Sequence, residues 1–172
     1  MAKPMKRKSR PSYFQMNVTQ FGEDFPTRKS PLEIQKDAKN IFNDIAYGNI
    51  DVERDAKCFT YTNFLSNLIL VAQDNYSYHF YSAEGLKQII NQSGATRISD
   101  DQQPMMKVID KHMYSANAYN VIIYYLTNML NNQGVIVNLA ELCRQLQNFR
   151  GAFSDVYIVR DDDARRRERR TY

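Results

Sequence analysis

Apolar residues along this chain recur mostly at helical spacing. Ile34, Ala38, Ile41, Phe42 and Ile45 form one stripe, and the pattern three to four apart predicts an amphipathic helix. Ser30 stands where a capping hydroxyl belongs, Pro31 takes the first helical position, Glu33 lies three residues after the cap, and Gly48 is a natural stop. A second helix is predicted from about Asp51, with Tyr61, Phe64, Leu65, Leu68 and Ala72 on one face. Ile69, Leu70 and Val71 make it apolar nearly all round, the mark of a central helix covered on most sides. Residues 75–81 suit either a strand, with aromatics at Tyr76, Tyr78 and Phe80, or a continuation of that helix. Ser82 is then placed to cap a short helix through Leu86, Ile89 and Ile90, ending at Gly94.

The polar stretch 95–103 reads as a linker between halves, and Pro104 opens another helix carrying Met105, Val108, Ile109 and Met113. Ser115 either caps a fresh helix or sits on a continuous one. Ala118, Val121, Ile122, Tyr125, Leu126, Met129 and Leu130 follow as the cleanest amphipathic run in the chain. Gln133-Gly134 breaks it, and Val135-Ile136-Val137 predicts a short extended element. Asn138 caps the next helix, with Glu141 at its third position and Leu139, Leu142, Cys143 and Leu146 on its buried face. The fold class expected is therefore mainly α, a helical bundle with a short β element. It is organised as a basic arm (1–12), a helical half (13–94), a second helical half (104–160) and an Asp/Arg-rich tail or helix (161–172).

Composition bounds this picture without redirecting it. With 172 residues, 43% of them hydrophobic and 24% charged, the chain fits one domain with a real core, or two very small ones. No apolar run approaches the roughly 18 residues that a membrane-crossing helix needs, and residues 1–14 lack the apolar core of a signal peptide. No membrane association is expected, and the location expected is cytoplasmic or within a virion. Cys58 and Cys143 sit far apart in helical patterns, which favours reduced, buried thiols and leaves a bridge between them open.

Charge changes the picture most. Lys3, Lys6, Arg7, Lys8 and Arg10 fill the first ten residues with no acid among them, and Arg165, Arg166, Arg167, Arg169 and Arg170 stand against a single Glu168. The whole chain is only +4, so the stretch between is net acidic. Basic arms on a mildly acidic body point to a polyanion, because multivalent Lys and Arg release condensed counterions from nucleic acid. The bland alternative is a pair of solubilising ends. Asp161, Asp162 and Asp163 precede Arg165, Arg166 and Arg167 by four residues each. On a helix these would pair at about 0.2–0.5 kcal/mol apiece, so the 1–10 segment is the stronger polyanion candidate.

Residues 115–159 resemble a winged helix-turn-helix domain of phage or plasmid replication proteins and regulators. The resemblance is carried by Ala118 to Leu126, by Gly134-Val135-Ile136-Val137, and by Asn138 to Leu146. It implies that Cys143 sits where two helices cross closely, that Leu142 and Leu146 precede the turn, and that Phe153 and Val156 are the apolar positions of a reading helix. It also implies a C-terminal winged-helix-like half. Arg150, Ser154 and Arg160 would then face the major groove and Arg144 a phosphate. Without the resemblance, the same residues read as ordinary helix packing with 135–137 as a core strand. The overall style, rich in Asn, Tyr and Ile with basic ends, is similar to small tailed-phage proteins.

Catalytic chemistry is not encoded in any local pattern. His79 and His112 are 33 residues apart with no flanking ligand spacing, and the six glycines form no phosphate-binding loop. Asp100-Asp101 reads as helix capping, and the Tyr76 to Tyr81 aromatics suit core or interface packing better than base stacking. No cofactor, metal or small-molecule substrate is expected. The expectation is a non-enzymatic protein that binds nucleic acid, DNA before RNA, through Lys3, Lys6, Arg7, Lys8, Arg10, Arg144, Arg150, Ser154, Arg160, Arg165, Arg166 and Arg167. The alternative is a structural component of a large nucleoprotein assembly such as a tailed-phage virion. Protein partners or self-association are expected under either.

Overall fold

A computed structural model describes residues 31–92 and 103–153. Five helices account for most of them: α1 (Pro31–Ala46), α2 (Val52–Asp55), α3 (Thr62–Gln92), α4 (Gln103–Leu130) and α5 (Val135–Leu146). Single 3-10 segments follow α2 (Ala56–Thr60) and α5 (Gln147–Phe149). The mainly helical class holds, and no strand occurs among the described residues.

α1 ends as its sequence dictates. The Asn49 amide donates to Asp44 O at 2.8 Å and the Gly48 amide to Ile45 O at 3.2 Å, a Schellman closure that requires the left-handed φ of +72° at Gly48. The helix predicted from Asp51 is interrupted. Asp51 caps only the single turn of α2, accepting from the Arg54 amide at 3.2 Å, while Asp55 Oδ2 accepts from the Asp51 amide at 2.9 Å. The 3-10 segment then turns Cys58 and Phe59 inward, and Tyr61 goes extended before α3 begins.

α3 runs unbroken through the ambiguous 75–81 stretch, a length of about 46 Å at 1.5 Å per residue. Ser82 is not a cap: its hydroxyl donates back to Tyr78 O at 2.6 Å, and Asn75 likewise donates to Val71 O at 2.9 Å. α4 is also continuous through Ser115. α3 and α4 pack along each other as the spine of the molecule, with α1 and α5 laid against them. One hydrophobic cluster joins Ala38, Phe42 and Ile45 of α1, Phe64 to Ala72 of α3, Ala118 to Met129 of α4, and Leu139, Leu142 and Leu146 of α5. Ala83, Ile109 and Ala116 are buried apart from it, so the two long helices continue together past the part that α1 and α5 cover.

The expected extended element at Val135-Ile136-Val137 is instead the first turn of α5. The chain reverses just before it, where the Gln133 amide donates to Asn128 O and the Asn132 amide to Met129 O, both at 3.0 Å, with Asn132 at φ +62°. Val135 then shares a face with Leu139, Leu142 and Leu146 at helical spacing, which places it half-buried against the core and leaves Ile136 and Val137 outward. A three-residue strand needs a partner strand, and none exists among the described residues. Asn138 accordingly lies inside the helix, its amide group donating to Gly134 O at 2.9 Å and to Gln133 O at 3.3 Å.

Candidate nucleic-acid interface

The two described candidates from the helix-turn-helix reading flank the turn after α5. Arg144 lies on its exposed face and donates to Glu141 Oε2 at 2.6 Å; this hydrogen bond, with the charge behind it, holds the Glu141 carboxyl below the ordinary carboxylate range. Arg150 is exposed and places its guanidinium 5.7 Å from the centre of the Tyr47 ring. Both cations thus have structural companions from which a phosphate would have to draw them. Ser154, Arg160, Arg165, Arg166 and Arg167, the segment Lys3, Lys6, Arg7, Lys8, Arg10, and Val156, the second apolar position the resemblance implies, lie outside the described residues. So do the Ser30 cap, the 95–102 part of the linker and the Asp161 to Asp163 pairings.

The turn itself is held in a way its sequence does not announce. After Phe149 the chain passes Gly151 at φ +85°, a left-handed conformation for which glycine is the fitting residue. The Tyr114 hydroxyl donates to Asn148 O at 3.0 Å and to Arg150 O at 3.1 Å, and the Ser115 hydroxyl to Ala152 O at 2.9 Å. Two adjacent residues of α4 therefore fasten three carbonyls of the turn. Phe153 completes the anchor. It is fully buried, edge-on to Tyr119 at 5.1 Å and tilted against Phe42 at 5.8 Å. The resemblance makes Phe153 an apolar position of a reading helix; the residue is buried, but it lies in a turn after the 3-10 segment and not on a helix, and Ser115 is neither cap nor bystander.

Tyr119 sits at the centre of this aromatic group, stacked on His79 and edge-on to Phe42. Its hydroxyl is buried and has no hydrogen-bond partner among the described residues, and burial raises the phenol well above its ordinary value. Removing an unsatisfied buried hydroxyl recovers its desolvation cost. Tyr119→Phe is therefore expected to raise stability by about 1 kcal/mol, read as a higher denaturant midpoint; a lower midpoint would contradict the assignment.

Sequence reasoning also missed a histidine pair. His79 Nδ1 and His112 Nδ1 lie 2.9 Å apart between α3 and α4, although their 33-residue separation carries no local signature. The two cysteines are both free thiols. Burial pushes each up to about 11, with the Asp55 carboxylate adding to the effect. A thiol raised in the folded state lends stability below its unfolded value of about 9, and that stability is lost as pH rises through about 11. At pH 8 roughly one thiol in a thousand is ionised. The native protein should consequently react with a disulfide reagent at pH 8 far more slowly than the unfolded chain; equal rates would contradict the burial.

Charge is distributed unevenly between body and remainder. The described residues hold nine basic and ten acidic side chains, so the remaining residues carry a net +5. No group of three or more His, Cys, Asp or Glu side chains able to hold a metal occurs among the described residues, and no described helix is long and apolar enough to cross a membrane. Compared with protein-family models, curated proteins and solved structures, the chain matches none.

Proposed function

We propose that this protein binds nucleic acid without catalysing a reaction on it, with a near-neutral helical body serving as scaffold and the basic 1–10 segment as the principal contact. The partition of charge carries this reading. A body with nine basic and ten acidic side chains has little net attraction for phosphate, whereas Lys3, Lys6, Arg7, Lys8 and Arg10 concentrate five cations in ten residues with no acid. The region following α5 is the secondary contact, with Arg144 meeting a phosphate and Arg150, Ser154 and Arg160 facing the major groove, in the manner of the helix-turn-helix resemblance. The anchored turn supports that role, because a contact residue such as Arg150 gains from a backbone fixed by Tyr114 and Ser115. Binding to labelled duplex DNA that weakens steeply between 50 and 200 mM salt tests the proposal. No binding at the lowest salt would overturn it.

A second reading is favoured by a different observation. Tyr81, Ile89 and Val108 are exposed where α3 and α4 continue past the main core, and Tyr124, Ile136 and Val137 are exposed on α4 and α5. So many outward apolar side chains suit a component of a large nucleoprotein assembly, whose basic segments touch the nucleic acid while the body meets neighbouring proteins. Sequence preference lost on Arg150→Ala or Ser154→Ala separates the regulator from this component. Defined rings, or stoichiometric co-purification with a large particle and no sequence preference, would identify the component.

A further inference from the structure

The chain has two histidines, and the fold brings them together. His79, almost fully buried on α3, and half-buried His112 on α4 place their Nδ1 atoms 2.9 Å apart, with ring centres at 5.2 Å. At that distance one Nδ1 carries a proton and the other accepts it. A neutral pair meets this condition, and so does a pair with one extra proton, since an imidazolium Nδ1–H still finds a lone pair opposite. A pair with two extra protons does not: each Nδ1 then bears a hydrogen pointing at the other, and two positive charges face each other inside the helix interface. The contact and the doubly charged state exclude one another, whatever else either ring touches.

We propose that His79 and His112 form an acid-sensitive latch between α3 and α4, closed with no or one extra proton and opened by the second. The groups placed against it are Tyr78 of α3, whose ring lies 5.0 Å from that of His79 and 5.8 Å from that of His112, and Tyr119 of α4, stacked on His79 at 5.9 Å. α1 reaches this layer through Phe42 and the segment after α5 through Phe153, both uncharged and both against Tyr119. The nearest charged side chains along the two helices are Asp74 and Glu84 on α3 and Asp110 and Lys111 on α4. Opening the latch withdraws the ring on which Tyr119 stacks, and Tyr119 is the surface that holds Phe153. Acid is thereby coupled, through three contacting rings, to the anchor of the segment leading into Ser154 and Arg160.

The two imidazoles can be followed by nitrogen-resolved NMR of the full-length protein from pH 8 to pH 4, assigned by His79→Gln and His112→Gln. The rings should titrate as a coupled pair, one proton shared at higher pH and the second taken up at distinctly lower pH. Signals of Tyr119 and Phe153 should shift with that second step. Two independent single-proton titrations, or a second step that leaves Tyr119 and Phe153 unmoved, would overturn the latch. In thermal melts, wild type should lose several degrees more than His112→Phe across the same acid interval. Equal losses would count against it, and the wild-type titration decides the matter if that variant does not fold.

Discussion

Phe153→Ala is expected to destabilise the protein by about 3–5 kcal/mol, the cost of emptying a well-packed aromatic site in a core. Phe153 lies at the meeting point of three elements, with no exposed surface and with Phe42 and Tyr119 rings at 5.8 and 5.1 Å. The neighbouring backbone is pinned by the Ser115 hydroxyl on Ala152 O, so the site has little freedom to collapse around the deletion. Phe149→Ala provides the contrast. That ring is half-buried and tilted against an exposed Tyr114 at 5.3 Å, and its loss should cost less than half as much. Urea unfolding midpoints of the two variants check this order, and a reversed order would mean that the turn is not anchored at Phe153.

The other large effect concerns binding. Deleting residues 1–10 removes five cations and no acid. Each phosphate contact contributes about 0.9 to the slope of log affinity against log salt on duplex DNA, so the slope should flatten by up to about 4.5. Affinity near 50 mM salt should fall at least about tenfold. Deleting residues 164–172 removes five arginines together with Glu168 and leaves Asp161, Asp162 and Asp163 behind. On the reading that those aspartates already partner the Arg run, this second deletion should weaken binding less. The opposite ranking would move the principal contact to the other end of the chain.

Much of the fold was legible because helical periodicity reports burial directly. The stripe from Ala118 to Leu130 names residues that prove buried or half-buried without exception, and Gly48 ends α1 where a left-handed residue was expected. Illegible features were those decided by what arrives from elsewhere in the chain. Val135-Ile136-Val137 has strong strand propensity, yet Asn132 takes the left-handed turn and the Leu139, Leu142 and Leu146 face captures Val135, so the three residues join a helix. Ser82 and Asn138 look like caps, but each bonds back to a carbonyl four residues earlier within a continuing helix. Asn148 to Gly151 is an unpromising turn until Tyr114 and Ser115 are brought across from α4. The histidine pair is the clearest case: its partners meet only through the register of two long antiparallel helices, which no spacing rule records.

On the function proposed above, affinity for nucleic acid resides in the basic 1–10 segment and not in the helical body. The slope of log affinity against log salt, measured side by side for the full chain and for the chain lacking residues 1–10 on the same duplex, tests it most directly. A steep slope that flattens on the deletion is the result expected. A slope that stays the same would place the phosphate contacts on the body and contradict the account.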